Sequence, residues 1–342
     1  MKPLDAQTAT LVEQLAAAGF RPAHQIPLEE SRRGLTAMAA KMAGPRVEVH
    51  AVEDRSIPGP GGELPVRVYR PRAAIPGERL PAVVFFHGGG FYLGDLETHD
   101  HVCRFVCRGA DVVVVAVDYR LAPEHKFPAA VEDCHAAVAW VAQQATPLGI
   151  DADRIAVAGD SAGGTLVVTT CLLARERGGP TIAFQVSVYP ALTMTDGEEF
   201  VSRRLFGSGE YFISHADFAF FRKLYLPDPD REARLPLVSP IYAASYSGLP
   251  AALVITAGYD PCVDEDRRYF ERLRADGVPA RYVCFEQTIH PFFLFDGVID
   301  AGRDAQQLVV NTLREFFAAG RLRPDQGVEA WKSRASIGSL SV

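Results

Sequence analysis

Residues 155–164 read IAVAGDSAGG, a short apolar run that passes directly into Gly159-Asp160-Ser161-Ala162-Gly163. The pentapeptide fits Gly-x-Ser-x-Gly, and the segment after it, Ala162–Arg177, has the length of a helix. A buried strand, a serine at a sharp turn and then a helix is the context in which this pattern carries chemistry. Small neighbours let the backbone crowd together at the turn. The helix N-terminus adds partial positive charge towards an oxyanion forming there. A glycine-rich turn with a surface serine would look the same in isolation. The flanks favour the catalytic reading and make Ser161 the candidate nucleophile.

Similar apolar runs lie on both sides: Ala82–Phe86, Val112–Val117, Phe184–Val188, Ala251–Thr256 and Arg281–Phe285. Helix-length segments such as Ala129–Gln144 separate most of them. This alternation predicts an α/β fold with a mostly parallel central sheet flanked by helices. Ligands of such sheets bind beyond the carboxyl ends of the strands, so catalytic residues should follow strands directly.

Three further residues or motifs meet that condition. His87-Gly88-Gly89-Gly90 follows Ala82–Phe86. Three glycines there cost backbone entropy, so something must require them. They let N–H groups reach a ligand oxygen unobstructed, as an oxyanion hole or a phosphate-binding turn would. A serine hydroxyl is a weak nucleophile and needs a base. Of nine histidines only His290 lies beyond Asp260, and it follows Arg281–Phe285. Asp260 follows Ala251–Thr256 within Gly258-Tyr259-Asp260-Pro261, in the order Ser, acid, His that this chemistry uses on α/β sheets. Asp264 and Glu265 are nearby. Proline favours the first helical position, so Asp260 is expected as the helix N-cap with Asp264 one turn inside. That leaves Asp260 facing the His290 loop.

The chain has 342 residues, 48% of them apolar and 23% charged, with a net charge of −7. The charge balance and the lack of a basic stripe argue against a nucleic-acid partner. The longest apolar run, Val112–Val117, falls far short of the roughly 20 residues of a membrane helix. No stable membrane insertion is expected. The N-terminus lacks the features of a signal peptide, so the expected location is cytoplasmic. The six cysteines are then expected as buried free thiols. His99, His101, Cys103 and Cys107 form only a loose metal-like pattern, and no metal or cofactor is expected.

Residues 5–20 show helical periodicity and residues 46–70 read as a β-hairpin. Residues 194–245 exceed a normal crossover, and eight aromatics fall between Phe200 and Tyr225. They suit a small helical subdomain, some of whose rings could line an apolar pocket. After Phe317 the chain turns polar, with Trp331 its one strong anchor.

As a set, HGGGFYLGDLETHD from His87, DYRLAPEHKFP over Asp118–Pro128, GDSAGG over Gly159–Gly164 and DPCVDE over Asp260–Glu265 resemble the bacterial hormone-sensitive-lipase-type (family IV) esterases. The resemblance spans roughly residues 45–320. It implies an α/β-hydrolase fold with a helical cap, Ser161 as nucleophile, His290 as base and Asp260 as its orienting acid. It also implies Gly88, Gly89 and Ala162 as oxyanion donors, small-molecule esters with short acyl chains as substrates, and His87 as a loop-shaping residue. The corresponding organisation is an N-terminal cap segment over 1–45, core over 46–193 and 246–320, a helical cap insertion over 194–245 and a C-terminal tail over 321–342. Pro291, where such esterases often carry glycine, Lys126, where they often carry proline, and the 321–342 tail depart from the pattern. Amide or lactone hydrolysis by the same residues, a non-catalytic receptor on the same scaffold, and a homodimer stay open at this point.

Overall fold

The β-branched apolar runs form the centre of one sheet in the computed structural model, which describes residues 2–322 and 328–331. Among the described residues the sheet has nine strands: β1 (Ala51–Gly59), β2 (Gly62–Arg70), β3 (Leu80–Phe86), β4 (Val113–Val117), β5 (Ile150–Asp160), β6 (Phe184–Val188), β7 (Ala251–Tyr259), β8 (Ala280–Ile289) and β9 (Val328–Ala330). Their order is β1-β2-β4-β3-β5-β6-β7-β8-β9. The first hairpin and its junction with β4 are antiparallel, and every other pairing is parallel.

Successive strand residues point to opposite faces, and both faces are covered. Val83, Phe85, Val114 and Ala116 bury themselves with Cys103, Cys107 and Leu313, under the helices Asp100–Ala110 and Asp300–Ala319. Ala82, Val84, Phe86 and Val115 face Ala130, Cys134 and Leu166, from the helices Ala129–Gln143 and Ala162–Arg177. Two apolar faces make the central strands continuous apolar runs rather than alternating ones. All six cysteines are buried and free. Among the described residues no helix is long and apolar enough to cross a membrane.

The register brings the ends of the strands to one edge. Phe86 pairs with Gly159, and Asp160 with Val188. At the far side Tyr259 pairs with Ile289, so Asp260 and His290 are each the next residue after a paired position. Both strands run further than their apolar runs suggest. The ladder is irregular between Ala257 and Tyr259, where a side chain on Gly258 would place its Cβ 2.1 Å from the Glu286 carbonyl oxygen. Glycine there lets the strands approach and carries the pairing on to that edge.

Three other features come from outside the apolar runs. A helix over Leu28–Met42 follows the expected one at Ala6–Ala17. The insertion contains helices at Val201–Phe206, His215–Tyr225 and Pro229–Glu232. Near the C-terminus β9 joins β8, and the Trp331 ring stacks on Phe285 with centroids 5.1 Å apart.

Candidate active site

Ser161 sits between β5 and its helix at φ 52° and ψ −121°, a conformation that costs a non-glycine residue about 1–3 kcal/mol. Two hydrogen bonds hold it there. Its N–H donates to the Val188 carbonyl at 2.8 Å, and its carbonyl accepts from the Thr165 N–H at 3.0 Å. The turn is tight enough that a Cβ on Gly163 would lie 2.0 Å from the Phe86 carbonyl oxygen, and one on Gly159 2.5 Å from the same atom. The small residues of the motif are therefore a packing requirement.

His290 lies between the serine and Asp260. The Asp260 carboxylate can only accept, so the 2.8 Å contact assigns the proton to His290 Nδ1, which donates to Asp260 Oδ2. Nε2 is then bare and accepts from the Ser161 Oγ–H at 2.8 Å. Asp260 and His290 are buried. The buried Tyr189 ring, the residue after β6, lies 4.3 Å from the imidazole, centroid to centroid. The sequence reading passed over Tyr189, although it follows a strand as the other site residues do.

The acid differs from its expected local role. The helix starts at Val263 with Cys262 as its N-cap, not Asp260. Asp260 Oδ1 instead accepts the Cys262 N–H at 2.8 Å, the turn that an aspartate closes on the residue two ahead. Asp264 accepts from the Ser202 N–H at 2.8 Å, towards the insertion. Glu265 pairs with buried Arg203 at 3.0 Å and accepts from the Leu192 N–H. Both neighbouring acids are thus engaged elsewhere.

The glycine loop also departs from expectation. The N–H of Gly88, expected as an oxyanion donor, donates to Asp160 Oδ1 at 3.0 Å. The same oxygen is 3.0 Å from His99 Nε2. Burial works to raise the Asp160 pKa, but His99 across this contact, with His290 and His87 beyond it, outweighs burial and holds the carboxyl below its usual range. An ionised Asp160 therefore takes the Gly88 N–H out of use. Among the described residues no acceptor takes the N–H groups of Gly89, Gly90 or Ala162.

His87 is buried, stacks on Tyr119 with centroids 4.2 Å apart, and meets its neighbour's carbonyl through Nδ1 at 2.9 Å. Burial, helped by His99, pushes its pKa down to about 4. Between pH 6.5 and 4 the unfolded chain binds a proton here that the folded chain does not, so acid destabilises the fold across that window. Urea unfolding at pH 7 and pH 4 should show His87→Asn escaping about 3 kcal/mol of the acid-induced loss seen in the wild type. Equal losses in the two proteins would contradict this.

The site opens into a cavity of about 390 Å³. Its floor includes Ser161, His290 and Gly88–Gly90, and its walls come from two separate segments. Phe20, Ile26, Leu35 and Met38 belong to the N-terminal segment, and Phe212, Ile213 and Phe221 to the insertion. Asp217 joins the two walls: its Oδ1 accepts from the His24 backbone N–H at 3.1 Å and lies 2.9 Å from His24 Nδ1.

The α/β-hydrolase-fold family model matches residues 83–294. The chain is 46% identical over 260 residues to the carboxylic ester hydrolase LipN of Mycobacterium tuberculosis, covering 74% of this chain and 67% of that one. It is 37% identical to the esterase LipI of the same organism, over 89% of this chain and 93% of its relative. Among solved structures it resembles a hyperthermophilic esterase from the archaeon Pyrobaculum calidifontis. The TM-score is 0.87 and the identity 44%, over 93% of this chain and all of the other.

Proposed function

The chain belongs to the α/β-hydrolase fold family, in its hormone-sensitive-lipase-type esterase branch, and is a carboxylic-ester hydrolase; from that premise we propose that it cleaves short acyl esters through an acyl-enzyme on Ser161. The observation that carries this reading is the unbroken chain of contacts Ser161 Oγ to His290 Nε2 and His290 Nδ1 to Asp260 Oδ2, each 2.8 Å.

Ser161 Oγ attacks the ester carbonyl carbon while His290 Nε2 takes its proton. Asp260 holds the imidazole in the tautomer that accepts and stabilises the imidazolium. The carbonyl oxygen, now an oxyanion, accepts from the N–H groups of Gly89, Gly90 and Ala162. The first two come from the glycine loop, and the third lies at a helix N-terminus where the dipole also favours negative charge. His290 returns the proton to the leaving alcohol. A water then gives a proton to His290, attacks the acyl-enzyme and releases the acid and the free serine.

The limited volume of the cavity, about 390 Å³, favours acyl chains of about two to eight carbons. Rates for a series of 4-nitrophenyl esters test this. kcat/KM should peak within that range and fall for long chains. Faster hydrolysis of long-chain triglyceride emulsions than of soluble butyrate esters would overturn it.

A further inference from the structure

Tyr189, the residue after β6, has a strained backbone. Its φ is 36°, a positive value that a residue with a bulky side chain rarely adopts. Such outliers persist only where the surroundings over-determine them, and they cluster where geometry serves function. The Tyr189 N–H donates to the Ile255 carbonyl of β7 at 2.6 Å. One residue earlier, the Val188 carbonyl accepts the Ser161 N–H at 2.8 Å. The end of β6 therefore fixes the serine turn with one residue and sets the next against His290.

The side chain shows what this placement achieves. The fully buried ring lies 4.3 Å from the His290 imidazole, centroid to centroid, at 45°. It also meets Phe292, two residues beyond His290, edge-on at 5.6 Å. The Tyr189 hydroxyl stands beside the Asp160 carboxylate and the Phe293 N–H. Among the described residues neither this hydroxyl nor Asp160 Oδ2 forms a full hydrogen bond, so the phenol and the carboxylate make a loose pair shut off from water. Burial also strips water from His290, so an imidazolium there must be stabilised by the protein. Asp260 meets that charge at Nδ1. An aromatic ring with its centroid within about 6 Å can meet it from the side.

Resting on the esterase reading, we propose that Tyr189 is a positioning residue for His290: its ring holds the imidazole in place and stabilises the imidazolium formed when Ser161 gives up its proton, with Asp160 keeping the phenol behind it. The other charged and titratable groups around His290 come from known places. Asp260 lies at the end of β7, with Cys262, Asp266 and the Arg203–Glu265 pair beyond it. Asp160 lies at the end of β5, with His87 and His99 behind it. On the cavity side are Asp217 and the Arg21–Glu30 pair. Among the described residues Tyr189 supplies the one ring packed on the imidazole, and substituting it leaves all these groups in place.

Nitrogen-15 titration of the His290 imidazole, picked out from the nine histidines by its loss in His290→Gln, reads imidazolium stability without any turnover. In Tyr189→Leu the midpoint should fall by about half a pH unit or more. In Tyr189→Phe, which keeps the ring and loses the contact with Asp160, it should fall less. Pentafluorophenylalanine at position 189 keeps the shape of Phe and reverses the charge on the ring face, so its midpoint should lie below that of Tyr189→Phe. On a butyrate ester Tyr189→Leu should lower kcat about tenfold with KM little changed, and Tyr189→Phe should keep most of the rate. Equal midpoints in wild type and Tyr189→Leu, equal midpoints in the Phe and pentafluoro proteins, or a raised KM with kcat unchanged would each overturn the assignment. A lowered midpoint supports it even where no ester is turned over, and an unshifted one refutes it even where ester hydrolysis stands.

Discussion

Ser161→Ala and His290→Ala are each expected to lower kcat by about 10⁶-fold, and the double variant to lower it hardly further. The serine and imidazole work as one unit: without Nε2 to take the proton, Oγ is an ordinary alcohol, and without Oγ the imidazole has nothing to activate. Residual rate would come from the N–H donors of Gly89, Gly90 and Ala162 and from binding in the cavity. Neither substitution adds a clash, because each removes side-chain atoms from residues already held by their backbones. Steady-state rates of the three purified proteins on a butyrate ester, with melting temperatures as the folding control, check this. A double variant near 10¹²-fold below wild type, the product of the single effects, would show that the two residues act independently and would undo the assignment.

Asp260→Asn is expected to lower kcat by about 10⁴-fold with a near-wild-type melting temperature. Asparagine keeps an oxygen that can accept the Cys262 N–H, now bonded to Asp260 Oδ1 at 2.8 Å. The amide nitrogen must then face His290 Nδ1. It donates, so Nδ1 has to accept, the ring proton moves to Nε2, and Nε2 no longer accepts from Ser161. Asp264→Asn should lose far less, since Asp264 faces the Ser202 N–H. A kcat comparison in which Asp264→Asn is the slower enzyme would transfer the role to that residue.

The proposed catalytic residues were legible because each stands just beyond a strand, and apolar runs locate strands well. Ser161 follows the apolar run of β5 closely, whereas Asp260 and His290 lie a few residues beyond the apolar runs that marked β7 and β8 and were reached through their order in the chain. The direction of a glycine N–H was not legible. Whether Gly88 faces a substrate or a side chain depends on Asp160, 72 positions away in the chain, and on His99 keeping that carboxylate charged. Gly90 replaces it in the proposed hole for that reason. The helix over Leu28–Met42 escaped because its buried residues are Ser31 and Ala39, which give no apolar stripe. It covers the cavity and packs only partly buried residues, Leu28, Met38 and Met42, against the core. The last residues of β7 and β8 escaped because glycine and polar residues, Gly258, Glu286 and Gln287, break the apolar pattern while the pairing continues to Tyr259 and Ile289. Trp331 was correctly marked as an anchor, but its partner, Phe285, belongs to a strand far back in the chain.

Quenching the enzyme in acid during turnover of 4-nitrophenyl butyrate and weighing the intact protein tests the central claim most directly. The account predicts a fraction of molecules heavier by one butyryl group, with the adduct mapped by peptide fragmentation to Ser161 and absent from Ser161→Ala. A butyryl group mapped reproducibly to another residue, with Ser161→Ala retaining full turnover, would contradict it.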